Sequence, residues 1–229
     1  LLASGSDPVL AASGTEARQM LDHGLTNVQA LGHRIDIDPT ENSFAARKRI
    51  VFLGAIDGED TPDADSVRWF ADDILPRLRL LLGRNDLKLA VVGPVQAPSL
   101  QAMAGDRIDF FGRVENLESV LETARLVVVP VRLAAGISYK AHHAASFGVP
   151  VVATDLVAEQ YGWVSGQDIL AASGAEQFAS CCRDLYSDPD LWEKLRENAL
   201  DKVRQDCPAG AFEGMIAKLA ALVRENRQP

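Results

Sequence analysis

Apolar and polar positions follow two periods along this chain, and the switches between them mark its elements. Short, nearly continuous apolar runs at Ile50–Leu53, Lys88–Val92, Ile108–Phe111, Leu126–Val129, Val151–Ala153 and Ile169–Ala171 predict strands buried on both faces. Between the first two, Val67, Phe70, Ile74, Leu78 and Leu82 keep helical spacing. Thr61 and Pro62 supply an N-cap and a first helical residue, and Pro76 is expected to kink or divide that helix. Asn116 and Ser173 are further N-cap candidates, Ser173 with Glu176 at capping-box spacing. Asp188-Pro189 starts a helix carrying Trp192 and Leu195, and Phe212, Met215, Ile216, Leu219, Leu222 and Val223 share one face of the last helix. Strand–helix repetition of this kind predicts the α/β class. The expected form is a doubly wound, six-stranded parallel sheet, Rossmann-like, in the strand order 3-2-1-4-5-6.

The first residues follow a different rhythm. Pro8–Ala12 and Asn27–Leu31 read as short strands, and Ser13-Gly14-Thr15-Glu16 has the spacing of a capping box for a helix ending near His23 and Gly24. Asp38 to Lys48 is polar, contains a proline and reads as a linker. The expected division is an N-terminal appendage over 1–35, a linker over 36–48 and the α/β domain over 49–229. The chain starts at Leu1 rather than Met, which suggests a domain excised from a longer protein.

Candidate chemistry concentrates between Leu126 and Asp155. An apolar strand stops at Pro130, a loop runs to Gly136, a short helix carries Lys140 and His143, Gly148 ends it, and Val151 opens the next strand. In such a βαβ unit the helix start faces the carboxyl edge of the sheet, where free backbone N–H groups and the positive dipole end favour an anion. Lys140 lies in the first turn, a position its charge disfavours unless an anion offsets it; its side chain is expected to be exposed. Ligands of doubly wound sheets bind where the strand order reverses. That rule brings three loops together: Gly54 to Gly58, Gly112-Arg113-Val114, and Ala134 to Ser138.

Composition narrows the classes. With 229 residues, 47% hydrophobic and 24% charged, the chain can bury a full core. A net charge of −9 argues against a general nucleic-acid or anionic-membrane surface. Cys181, Cys182 and Cys207 are odd in number, so reduced thiols and a cytoplasmic location are expected. No apolar run approaches the length of a membrane span, and no signal peptide is expected. Three Asp-x-Asp strings, at Asp36–Asp38, Asp63–Asp65 and Asp188–Asp190, read as helix caps or a linker border rather than metal ligands. His142 and His143 are about 100° apart on a helix and make no zinc pair. Neither a G-x-G-x-x-G after the first strand nor a P-loop nor a G-x-S-x-G is present.

The segment ending Gly148-Val149-Pro150-Val151-Val152-Ala153-Thr154 resembles the donor-site motif of GT-B glycosyltransferases (family 4, "glycosyl transferases group 1"). Arg49–Gly54, the helix from Asp65 through Pro76, Leu87–Gly93, Ile108–Val114 and Asp168–Leu170 match in the same order, so that the resemblance runs from about Ser13 to Val223. It implies the C-terminal, donor-binding domain of such an enzyme, with residues 1–35 the tail of an N-terminal GT-B domain that carries the acceptor site. It further implies a nucleotide-diphosphate sugar as substrate, transfer to a glycan or other acceptor with retention, neither metal nor cofactor, and a place in polysaccharide biosynthesis. This chain alone is then expected to bind but not turn over. Gly54 and the backbone of Gly136, Ile137 and Ser138 would approach the donor, Lys140 would stabilise the leaving diphosphate, and Arg113 and Val114 would hold the base. Where family members carry one glutamate in the glycine loop and one in the helix, this chain has Ala135 and His143; His143 would then meet the ribose hydroxyls. Glu159 matches a common acidic position. These departures keep a second reading open, a non-catalytic Rossmann-like module or scaffold domain. A sugar-nucleotide epimerase of the same architecture fits the C-terminal helices less well.

Overall fold

Each apolar run is followed by a helix that returns the chain to the same edge of the sheet, so consecutive strands can only pair in parallel. A computed structural model describes residues 9–11, 14–31, 33–133 and 138–225. They divide into two compact units, Leu1–Asp36 with Val203–Pro229, and Ile37–Lys202. In the first, β1 (Val9–Ala11) and β2 (Val28–Ala30) pair in parallel around α1 (Gly14–Asp22). The capping-box serine, Ser13, lies outside the described residues. Within the described residues, 203–225 group with the N-terminal segment in this first unit.

The second unit holds β3 (Arg49–Leu53), α2 (Pro62–Trp69), α3 (Leu75–Leu82), β4 (Leu89–Val92), α4 (Pro98–Gln101), β5 (Ile108–Gly112) and α5 (Leu117–Leu121). It continues through β6 (Ala124–Val129), α6 (Lys140–Ser146), β7 (Val151–Thr154), α7 (Asp155–Tyr161), β8 (Leu170–Ala172), α8 (Ala175–Ser187) and the start of α9 (Pro189–Asp206); α10 (Ala211–Glu225) follows. The six strands stand in the order β5-β4-β3-β6-β7-β8, all parallel, which is the expected topology. Strand order reverses between β3 and β6. Central β4, β6 and β7 are buried throughout, whereas edge strand β5 alternates, with Asp109 and Phe111 exposed.

Local signals act as read in most places. The Thr61 hydroxyl accepts from the Ala64 N–H at 3.2 Å, with Pro62 next to it. The Asp188 carboxylate accepts from Asp190 and Leu191 at 2.9 and 3.0 Å. Pro76 divides its helix through a wider π turn over Phe70–Ile74, closed by the Leu75 N–H on the Phe70 carbonyl. The turn keeps Phe70, Ile74, Leu75 and Leu78 buried, with Phe70 and Trp69 edge-on to Phe178 at 6.3 and 5.8 Å. Ser173 caps differently from expectation. The N-cap of α8 is Gly174, and Gln177 rather than Glu176 reaches back, accepting from the Ser173 N–H and hydroxyl at 3.3 and 3.1 Å.

The polar stretch before β3 is not a free linker. Asp38 and Thr40 donate backbone N–H groups to Ser146 and Phe147, and Asn42 donates to Glu122. Arg47 explains why. It is fully buried, and its guanidinium donates to the Asn42 carbonyl at 2.8 Å, the Leu121 carbonyl at 2.9 Å and the Thr40 hydroxyl at 2.6 Å. Its Cζ lies 5.2 Å from the Trp192 ring centroid. Burial, reinforced by the neighbouring Arg196 charge, lowers its pKa to about 10. Arg125 extends the cluster, donating to the Arg47 and Tyr186 carbonyls and stacking on Phe44 at 3.4 Å.

Two glycines let the carboxyl ends of β3 and β4 touch. Gly93 has φ +135°, and a Cβ there would stand 2.1 Å from the Gly54 carbonyl oxygen.

Two stability measurements follow from this packing. Arg47→Ala should cost about 3–5 kcal/mol, since it orphans buried acceptors and leaves a cavity. Urea titration would show a lower midpoint at unchanged slope, with Arg47→Lys recovering less than half. A loss below about 1 kcal/mol would mean that other contacts hold residues 37–48. Gly93→Ala should cost more than about 2 kcal/mol, and Gly105→Ala only about 1. Gly105 also has positive φ, at +81°, but open space around it, so equal losses would remove the close approach as the cause.

Candidate functional site

The reversal of strand order sets the site. The chain leaving β3 and the chain leaving β6 diverge from adjacent strands on the carboxyl edge, α2 starting above one and α6 above the other. Thr61 and Pro62 fix the start of α2, and the next residues place Asp63 and Asp65 in its first turn, where the helix dipole favours carboxylates. Opposite them, Arg132 follows β6 by three residues and Lys140 opens α6.

These four charges meet in pairs. The Lys140 ammonium donates to both Asp63 oxygens, at 2.9 and 3.0 Å. Arg132 makes a fork on Asp65, Nη2 to Oδ1 at 2.5 Å and Nε to Oδ2 at 3.1 Å, while its guanidinium covers the Trp69 ring at 4.9 Å. The two bridges differ in environment. Lys140 and Asp63 are only 20% and 21% exposed, against 45% and 30% for Arg132 and Asp65. Lys140 is therefore not the exposed side chain expected from sequence. Its stem crosses Gly54, and its ammonium sits 5.6 Å from the Phe52 ring centre. Gly54 is needed here, because a Cβ would meet Asp63 Oδ2 at 2.7 Å and Lys140 Cε at 3.0 Å.

The remaining expected residues fall into three groups. Ser138 stands beside the ion pair in sequence, and its hydroxyl is buried without a hydrogen-bond partner among the described residues. Gly136 and Ile137, like Ala135, lie outside the described residues. Arg113 and Val114 follow edge strand β5, the first exposed and the second half-buried. They share the carboxyl edge with Gly54 but stand two strands from β3, about 10 Å at the usual spacing. His143 is exposed on α6, whereas His142 is buried, edge-on to Tyr161 at 4.4 Å and Trp163 at 5.3 Å. Glu159 is exposed in α7. Among the described residues no group of three or more His, Cys, Asp or Glu could hold a metal ion. All three cysteines are free, and burial raises their pKa values, Cys182 most. No helix among the described residues is long and apolar enough to cross a membrane.

Sequence reasoning missed Asp63, Asp65 and Arg132 as parts of this site. The two aspartates were read as helix-start residues, which they are. What the sequence did offer was the charge pattern itself, two acids in one loop's helix start and two cations bracketing the other loop.

No curated protein sequence matches the chain. Among solved structures it is similar to TarM of S. aureus, at TM-score 0.72 and 15% identity over 93% of this chain and 43% of that one. HepE of Anabaena, solved with UDP and glucose, gives 0.72 and 14% over 94% and 63%. Sucrose-phosphate synthase of Thermosynechococcus elongatus gives 0.72 and 18% over 95% and 58%. The chain thus spans less than two thirds of each of these proteins, and at such identity they establish its fold. Residues 47–188, more than half of the chain, match the family described as glycosyl transferases group 1. That segment contains the whole sheet and both ion pairs of its carboxyl edge, and by it the chain belongs to the glycosyl transferases group 1 family, with the fold of the family's GT-B halves.

Proposed function

We propose that the sheet domain binds the nucleotide-diphosphate sugar of a glycosyl transfer reaction, with retention of configuration and without a metal ion. The observation that carries this reading is Lys140. It is a cation held near the switch point of the sheet, over Gly54 and at the start of α6, in a chain of net charge −9. Solved structures of the same fold support it, since HepE was crystallised with UDP-glucose and with UDP and glucose.

Breaking the glycosidic bond leaves the pyrophosphate with additional negative charge. A half-buried ammonium stabilises that charge more than it does the intact donor, which is what lowers a barrier rather than merely tightening binding. The backbone amides of Gly136, Ile137 and Ser138 would share the phosphates, and the Ser138 hydroxyl has a donor to spare. Arg113 and Val114, at the end of β5, would meet the base, and His143 the ribose. The acceptor, a glycan or another nucleophile, would be held by a second, N-terminal GT-B domain, without which turnover is not expected. A cytoplasmic role in polysaccharide synthesis fits this chemistry. Two observations favour a non-catalytic Rossmann-like module instead: His143 is exposed and Lys140 is paired with an acid, at positions where the donor reading asks for donor contacts.

Calorimetry with UDP, GDP and dTDP tests the reading. Binding of at least one at millimolar concentration or below is expected, and silence from all three would overturn it. Lys140→Ala should weaken nucleotide-diphosphate binding by about 1–3 kcal/mol, roughly 5- to 150-fold, while the matching nucleoside binds as before. Lys140→Arg should recover only part of this. Because the substitution orphans Asp63, thermal unfolding should also shift by about 1–2 kcal/mol, so affinities must be measured on folded protein. Equal losses for nucleoside and diphosphate would mean that Lys140 shapes the site without touching phosphate.

A further inference from the structure

The cation assigned to the donor phosphates is already occupied. Lys140 gives two of its three donors to the two oxygens of one carboxylate, at 2.9 and 3.0 Å, and both partners are about four-fifths buried. Asp63 has little room to retreat. It belongs to the first turn of α2, anchored by the Thr61 cap and Pro62, and lies close over the Gly54 backbone. Lys140 is equally confined, its Cε against Gly54 and its ammonium 5.6 Å from the Phe52 ring centre. At the other end of the same chain segment, Arg132 is forked onto Asp65. Arg132 and Lys140 are thus both tied to one turn of α2.

We infer that Asp63 is an internal counter-anion, standing where a donor phosphate would stand, and that it sets which anions this site accepts. The inference rests on the donor-site reading of Lys140. A ligand oxygen that reaches the ammonium must displace or share a carboxylate that is already bonded to it bidentately. It must also tolerate a second negative charge a few ångströms away, in a half-buried setting where screening is weak. A single, weakly held phosphate gains one contact and bears the whole repulsion. A nucleoside diphosphate brings a second phosphate and a base with their own contacts, so it can offset that cost. Asp63 therefore works as a specificity-determining residue. It rejects inorganic phosphate and nucleoside monophosphate, and it weakens every anion to some degree, the diphosphate least.

Asp63→Asn isolates the effect. The amide keeps the shape and a carbonyl acceptor for Lys140 but removes the charge. Isothermal titration of wild type and Asp63→Asn with UDP, UMP, uridine and inorganic phosphate is the experiment. The variant should bind UDP at least about fivefold more tightly and UMP and phosphate by a larger factor, while uridine changes less than about twofold. The UDP-to-UMP affinity ratio should therefore fall. Three results overturn it. If wild type binds UDP, Lys140→Ala weakens it and Asp63→Asn leaves it unchanged or weaker, the donor site stands and Asp63 merely positions the lysine. If uridine tightens as much as UDP, the substitution has opened the pocket rather than removed a competing charge. If neither protein binds UDP, GDP, dTDP or phosphate, the inference falls together with the donor reading; if only GDP or dTDP binds, the same comparison is made with that diphosphate, its monophosphate and its nucleoside. Thermal unfolding of the variant, followed in parallel, confirms that the protein measured is folded.

Discussion

A buried guanidinium bonded to carbonyls and a hydroxyl, with no carboxylate in a salt bridge to it among the described residues, governs how the sheet domain holds together. Arg47 sits at zero exposure and spends its donors on the Asn42, Leu121 and Ala124 carbonyls and on Thr40. An isolated charge in such a place would be prohibitive. Here the cost is offset by a full set of charge-assisted hydrogen bonds and by the Trp192 face. The consequence is geometric. One side chain ties the segment ahead of β3 to the end of α5, the start of β6 and the first turn of α9. Arg125 then takes the Arg47 carbonyl, and the Trp192 indole N–H takes the Arg125 carbonyl at 2.6 Å. Arg196 closes the circuit on Thr40 and on the Gly148 carbonyl, just past α6. The amino edge of the sheet and the far end of the candidate phosphate helix are thereby parts of one hydrogen-bonded network.

Such a network stiffens the side of the domain away from the site, which leaves the carboxyl edge free to be built from loops. There the constraint is steric. Gly93 and Gly54 bring two chain segments within a distance that no Cβ would permit, and Gly54 gives Lys140 and Asp63 a flat surface to lie on. A lysine stem supported in this way presents its ammonium at a fixed height above the sheet, which is the condition for electrostatic preorganisation.

The fold was legible because its signals are local. Six apolar runs with helical spacing between them determine a parallel sheet, and the right-handed crossover rule leaves few orders to choose from. The caps at Thr61 and Asp188 could be read for the same reason, each acting within three residues of itself. What could not be read depends on partners far apart in sequence. Asp38 to Lys48 looks like a linker because its residues are polar; it is packed because Arg47 finds acceptors 74 and 77 positions away. Lys140 looked exposed because nothing near it in sequence is acidic; its partner lies 77 positions earlier. Ser173 is an intermediate case, a local signal displaced by one residue when Gln177 rather than Glu176 reached back.

If the carboxyl edge is the donor site proposed above, its charge balance gives an acidic protein a way to hold an anion selectively. Lys140, Arg132, Asp63 and Asp65 sum to zero, so these four side chains offer no excess field to draw in stray phosphate. The two bridges are unequal in what they resist. Arg132 is the more exposed of the cations, and its planar fork matches Asp65 and stacks on Trp69, so its pairing is geometrically complete. Lys140 is a compact charge with a third donor still to place, in a drier setting where exchanging one anion for another costs little reorganisation of water. Of the two, only Lys140 can gain by trading a carboxylate for the more heavily charged oxygens of a diphosphate. On the donor reading, the neutrality of these four side chains and a preferred point of exchange would together make an anion site that discriminates by how much charge the ligand brings.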